Sequence, residues 1–230
     1  MGSHANLSID ITPQVLLKAY SCGIFPMAES ANDPTLYWIE PEERGILPLN
    51  RVTVPKRLAR TIRQQKFEIK IDTDFSGVIA GCAAARSGRR TTWINRRIAE
   101  LYGELFAMGY CHTIEAWRDG RLVGGLYGVH LAGAFFGESM FSIERDASKV
   151  ALVYLAARLI YGGFRLLDTQ FVTEHLRQFG AIEISRTEFH KHLSEALQIH
   201  SGFHELPRDV SPTGILQLVS QTSKTGCSTP

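Results

Sequence analysis

The sequence has too few cysteines, too widely spread, for a fold built around them. Its four thiols, Cys22, Cys82, Cys111 and Cys227, form no CxxC or Cys/His spacing in a chain of 230 residues. That pattern excludes a disulfide framework or zinc ribbon and predicts reduced thiols in a cytoplasmic protein. No apolar run of roughly 18 residues and no signal-peptide core occurs, so neither secretion nor a membrane span is expected. An excess of one charge is missing too: 25 Lys and Arg against 23 Asp and Glu leave a formal charge of +2. Any nucleic-acid site must therefore come from a local patch.

Several catalytic signatures are absent. There is no P-loop and no cluster of metal carboxylates, which disfavours phosphoryl transfer. The glycines of "VGGLYGV" do not open a helix as a dinucleotide fingerprint would, and suit tight strand packing instead. In "GESMF" the serine is in place, but Phe141 stands where a nucleophile elbow needs its closing glycine. His190 with His192, and His200 with His204, have spacings that metals use. No third ligand motif accompanies either pair, so no metal is expected.

What is present is an ordinary globular composition, 44% hydrophobic and 21% charged, in a chain long enough to bury a substantial core. Thr12 followed by Pro13 predicts a helix start, with Gly23 just past its end. The proline-rich stretch from Gly23 to Leu49 reads as extended or turning without regular structure. Helical and strand signals then alternate from Pro55. A three-strand meander over residues 111–142 is broken at Asp119-Gly120 and Ala132-Gly133. A strongly periodic helix ends at Gly162-Gly163, and the strand "LLDTQF" follows. The expected class is α+β, a GCN5-related acyltransferase-like catalytic domain over residues 56–205 with a small N-terminal domain over 1–55. Residues 206–230, rich in Ser, Thr, Pro and Gly, are expected to be a flexible tail.

Three constellations carry chemistry. Asp168 and Gln170 sit at i and i+2 of an apolar strand, which puts them on one face. Glu138 lies in the apolar frame of "FFGESMFS", where a carboxylate must be paired or functional. If neighbouring strands bring the three together, they can orient an amine and take its proton as it attacks a carbonyl. The structural alternatives are a hydrogen-bond network that fixes register and a glutamate bonded to backbone or arginine. On the helix "VPKRLARTIRQQ", Lys56, Arg60 and Arg63 form one stripe opposite Leu58 and Ile62. Arg86, Arg89, Arg90, Arg96 and Arg97 surround Trp93, and cations around an aromatic platform suit an unpaired nucleotide end. A solvated charged face is the alternative for both basic clusters.

Taken in order, "AYSCGIFPM", "TTWINRRI", "GGLYGV", "FFGESMFS", "DASKVAL" and "LLDTQFVTEHLRQFGA" resemble leucyl/phenylalanyl-tRNA–protein transferase from about Thr12 to about Leu197. The resemblance implies transfer of Leu or Phe, and Met less well, from aminoacyl-tRNA to the N-terminal amine of proteins beginning with Arg or Lys. Such transfer marks those proteins for N-degron proteolysis and uses no metal or organic cofactor. By the same resemblance Asp168 and Gln170 position and deprotonate the amine, and Glu138 stands at the aminoacyl-adenosine site. Trp93 packs on the bound group, and Leu126, Met140, Leu152 and Leu167 line the amino-acid pocket. Met27 stands at the substrate site where many members carry a second tryptophan, and Lys56, Arg60 and Arg63 follow the tRNA acceptor stem. Two rivals are weaker. An acyl-CoA-dependent acetyltransferase needs a glycine-bearing pyrophosphate loop where this chain has "SIERDASKVAL". A non-catalytic aminoacyl-tRNA binder has no use for Asp168 beside Gln170.

Overall fold

Thr12 caps the first helix: its Oγ1 accepts from Val15 N–H at 3.3 Å, α1 runs Pro13–Ser21, and Gly23 follows at φ +79°. The computed structural model describes residues 11–31, 33, 35–84 and 92–225, with side chains described through 221. The proline-rich stretch is not irregular. It forms a small antiparallel pair, β1 Phe25–Met27 with β2 Tyr37–Ile39, where strands that are both edges tolerate Pro26. Then comes β3, Glu43–Ile46.

Beyond it, α2 (Lys56–Arg63) buries Leu58, Ala59 and Ile62 and leads to β4 (Glu68–Ile71). Asp74 and Asn95 cap α3 (Phe75–Ala83) and α4 (Arg96–Ala107) by accepting from the N–H groups of Gly77 and Ile98. The expected meander is β5 (Cys111–Arg118), β6 (Arg121–Leu131) and β7 (Ala134–Ser142). Its first hairpin turns at Asp119 (φ +50°) and Gly120 (φ +70°) and its second at Ala132 (φ +51°), the positive φ values that tight hairpins require. Helix α5 (Ala147–Tyr161) crosses over to β8 (Leu166–Gln170). The chain ends in α6 (Glu174–Arg177), β9 (Ile182–Ser185), α7 (Arg186–Leu197) and α8 (Pro212–Thr225).

The seven-stranded sheet has the order β4-β5-β6-β7-β8-β3-β9. Every pairing in it is antiparallel except β7 with β8, the two strands joined through α5. Two apolar cores form, the first gathering residues of α2, α5 and α8 and the second residues of α1, α3, α4 and α7. The result is a mixed α+β fold with a central mixed sheet and a small N-terminal part. A split at residue 55 does not follow that sheet, because β3 lies before it and pairs with both β8 and β9. The flexible tail is also corrected: α8 buries Ile215, Leu216 and Val219 in the same core as α5. Those three stand at i, i+1 and i+4, an apolar stripe on a segment whose composition resembles a loop.

At Gly45 the register of β3 against β8 shifts, and the backbone of Phe171 closes over the glycine. A Cβ placed there meets Phe171 C at 2.7 Å and Val172 N at 2.9 Å. Backbone cannot yield as a side-chain tip can, so Gly45→Ala is expected to cost about 1–3 kcal/mol. A thermal melt that leaves the variant as stable as the parent contradicts this packing.

Candidate active site

Between β6, β7, β8, α5 and α6 lies a cavity of about 770 Å³. Leu126, Met140, Leu152, Leu155, Leu167 and Leu176 supply its apolar wall, and Trp93, Glu138, Thr169, Gln170 and Phe171 also line it. Seven sequence-derived candidates, Trp93, Leu126, Glu138, Met140, Leu152, Leu167 and Gln170, thus meet at one site. Mostly apolar walls with a few convergent polar groups are the usual form of a small-ligand site.

Asp168 does not line this cavity, and it does not share a face with Gln170. Alternation along β8 gives Leu167 and Thr169 to the cavity and turns Asp168 away from it. Gln170 breaks the alternation with a left-handed backbone, φ +55°, and so joins the lining. Its N–H donates to Asp168 Oδ1 at 2.8 Å, which holds a conformation that non-glycine residues adopt rarely. Asp168 is fully buried and bound in a fork by Arg44, Nε to Oδ1 at 2.9 Å and a terminal nitrogen to Oδ2 at 2.6 Å. The remaining terminal nitrogen of Arg44 donates to Gly23 O at 2.9 Å, and the guanidinium lies 4.5 Å from the ring centres of both Phe25 and Phe189. Both oxygens of this carboxylate are thus committed to Arg44 and the Gln170 backbone.

Glu138 is the carboxyl group that faces the cavity. Tyr20 donates to its Oε1 at 2.7 Å, Tyr102 to its Oε2 at 2.9 Å, and Gln170 Nε2 to Oε1 at 3.3 Å. Burial lifts its pKa from an ordinary 4.5 to about 7. The two phenols pull the other way by stabilising the charged form, Asp168 adds to the rise, and Arg44 opposes it. Burial, followed by the charge of Glu138, holds both tyrosines well above their usual range, so they stay donors. Near neutral pH the charged and neutral forms of Glu138 are therefore of comparable stability.

Met27 lies in β1 opposite Tyr37 and does not line the cavity. Lys56, Arg60 and Arg63 are exposed on α2. Lys56 and Arg63 border a groove shared with Thr213, Gln217 and Ser220 of α8, while Arg57 is engaged with Asp146 at 2.7 and 2.9 Å. Of the second basic cluster, Arg86, Arg89 and Arg90 lie outside the described residues. Arg96 pairs with Glu100 at 2.8 Å, and Arg97 donates to Ile11 O at 2.6 Å.

Sequence reasoning missed Arg44, Tyr20 and Tyr102. Arg44 follows Glu42 and Glu43 and reads as solvated charge; nothing local marks it as buried. Tyr102 falls on the apolar stripe of α4 with Ile98 and Leu105, which signals core but not contact with a carboxylate. Thr169 Oγ1 and His175 Nε2, both from cavity-lining residues, are buried without a hydrogen-bond partner among the described residues.

A family model described as leucyl/phenylalanyl-tRNA protein transferase matches residues 46–194, and one for the N-terminal domain of that family matches residues 9–42. A leucyl/phenylalanyl-tRNA–protein transferase of Rhodopseudomonas palustris (strain HaA2) is 59% identical over 214 residues, covering 93% of this chain and 96% of that protein. One of Afipia carboxidovorans is 57% identical over 227 residues, 98% of this chain and 100% of the other. One of Caulobacter vibrioides (strain NA1000 / CB15N) is 55% identical over 208 residues, 90% and 96% respectively. A solved structure, a functionally unknown conserved protein from Staphylococcus epidermidis ATCC 12228, aligns at a TM-score of 0.38 and 13% identity over 77% of this chain and 66% of that one. A likeness that weak carries no argument.

Removing one partner of a buried ion pair strands the other, at about 3–5 kcal/mol. Asp168→Ala and Arg44→Ala are each expected to lose stability on that scale, and the double variant much less than the sum. Denaturant titration of the four proteins measures the coupling; additive losses contradict a shared bond.

Proposed function

The chain belongs to the leucyl/phenylalanyl-tRNA–protein transferase family, and from that premise we propose that it joins Leu or Phe, and Met less readily, to the N-terminal amine of proteins beginning with Arg or Lys. The family's reaction is aminoacyl transfer from tRNA to proteins, and the chain is an aminoacyltransferase. The observation that carries the finer reading is the cavity itself: leucine and methionine side chains on the wall, one carboxyl group of near-neutral pKa beside a carboxamide, and a tryptophan. The apolar wall takes the Leu, Phe or Met side chain. Discrimination against smaller side chains is modest, about 1–3 kcal/mol per methylene.

The chemistry asks little of the protein, because an aminoacyl ester is already activated and positioning two substrates supplies much of the rate. The acceptor nitrogen attacks the ester carbonyl, a C–N bond forms, and the C–O bond to the tRNA ribose breaks. The nitrogen gives up a proton, and the departing ribose oxygen takes one. In this scheme Glu138 accepts the proton directly from the amine, and Gln170, which donates to Glu138 Oε1 at 3.3 Å, orients the amine through its carboxamide oxygen. Asp168 is a positioning residue that acts through the Gln170 backbone. Thr169 Oγ1 and His175 Nε2 remain for the substrate's polar groups, and Trp93 packs on the terminal adenosine. The meander, the crossover helix α5 and the parallel β7–β8 pair support a GCN5-related arrangement for the catalytic part. Exposed Lys56, Arg60 and Arg63 carry the acceptor stem. Acting on aminoacyl-tRNA and marking substrates for N-degron proteolysis, the protein works in the cytoplasm.

Mixing the protein with labelled Leu-tRNA and an Arg-initiated peptide is expected to move label to the peptide, and a Met-initiated peptide to stay unlabelled. Label retained on tRNA refutes catalysis. Glu138 is ionised above about 7, so transfer is expected to rise with pH through that value, alongside the separate titration of the acceptor amine. Glu138→Gln is expected to lower the rate by about 10²-fold or more and erase the lower step; an unaltered pH profile removes Glu138 from the role. Replacing Lys56, Arg60 and Arg63 together by Gln is expected to weaken tRNA binding and flatten its dependence on salt. An unchanged slope excludes the stripe.

A further inference from the structure

On the far edge of the sheet, two imidazoles that the transfer reaction does not use converge on one carboxylate oxygen. Asp72 follows β4, His112 lies on β5, and His204 lies on the connection between α7 and α8. His112 Nδ1 is 2.8 Å from Asp72 Oδ2, and His204 Nε2 is 3.4 Å from the same oxygen. The three donor atoms all fall within 4.8 Å of one another. Ligands around a divalent ion at ordinary bond lengths sit roughly 3–4 Å apart, so little movement is needed to admit one. Spacing pairs His204 with His200, but its partners in space come from elements far away in sequence.

The donors are held in place by a supporting layer. Asp72 Oδ1 accepts from Thr113 N–H at 2.6 Å, which leaves Oδ2 directed at the two histidines. The ring of His112 stacks on Phe203 at 3.9 Å between centres, with 11° between planes. His112 is almost wholly buried, whereas the His204 side chain is 60% exposed and leaves an approach from solvent. Fixed second contacts of this kind orient ligands at metal sites. Arg158, donating to Phe203 O at 2.9 Å, and Arg208 add opposing charge near His204.

We propose that Asp72, His112 and His204 form a structural divalent-metal site, suited by its two imidazoles and one carboxylate to Zn²⁺ or Ni²⁺. The ion takes the place of the hydrogen bond between His112 Nδ1 and Asp72 Oδ2, and the neutral ring keeps its single proton on Nε2. Bound there, it clips the segment before α8 to β4 and β5, and so secures the helix that closes the core around α5. The site is independent of the transfer reaction.

The test uses the full chain, stripped with chelator, dialysed, and titrated with Zn²⁺ or Ni²⁺ while bound metal and melting temperature are followed. One ion per chain and a raised melting temperature are expected. His204→Ala is expected to weaken binding by at least ~10-fold and to lose the thermal shift, while His190→Ala behaves as the parent. Should His204→Ala melt early without metal, Asp72→Asn decides, since it keeps an acceptor for Thr113 N–H. No binding, or equal binding by parent and both ligand variants, overturns the site.

Discussion

The buried pair between Arg44 and Asp168 is the interaction on which the candidate site rests. It joins the carbonyl of Gly23 after α1, strand β3, strand β8 and the Phe189 ring of α7 at one guanidinium. Two aromatic faces offset part of the cost of taking that cation out of water. Such a pair is weak evidence of net stability; what it supplies is placement. Asp168 in turn holds the Gln170 backbone in its left-handed turn, and that turn brings the carboxamide to Glu138.

Division of labour between two carboxyl groups follows from their surroundings. Asp168 is held by an arginine fork and a backbone N–H. Glu138 accepts from two phenols and a carboxamide at the wall of an apolar cavity, and burial lifts its pKa to about 7. One group is locked and the other is poised, which is a recurrent way to separate a structural from a reactive carboxylate. On the proposed reading this suffices, since an activated ester needs orientation and one proton acceptor.

The chain before residue 55 is divided between two sheets, β1 and β2 forming a pair of their own and β3 joining the central sheet. Strand β3 completes the sheet between β8 and β9, and Gly45 lets the chain pass against Phe171 where the candidate site turns. At the other end α8 packs on α5, so a segment with loop-like composition becomes part of the first core. Both features tie distant sequence to the walls of the same cavity.

Local pattern determined much. Thr12 before Pro13, the dipeptide at Asp119-Gly120, and the apolar period of α4 each specify an element through contacts a few residues apart. Of the residues singled out around the cavity, Leu126, Glu138, Met140, Leu152 and Leu167 meet because strand and helix periods bring them there; Trp93 arrives from the loop before α4, and Gln170 through its left-handed backbone. The sequence did not determine that Arg44 is buried, that Asp168 faces away from Gln170, or that Ile215, Leu216 and Val219 find a helix to cover. Those outcomes depend on partners 124 residues away, as for Arg44 and Asp168, and on one left-handed residue that strand alternation does not anticipate. Burial and pairing at long range are properties of the assembled chain, and only the tertiary structure decided them.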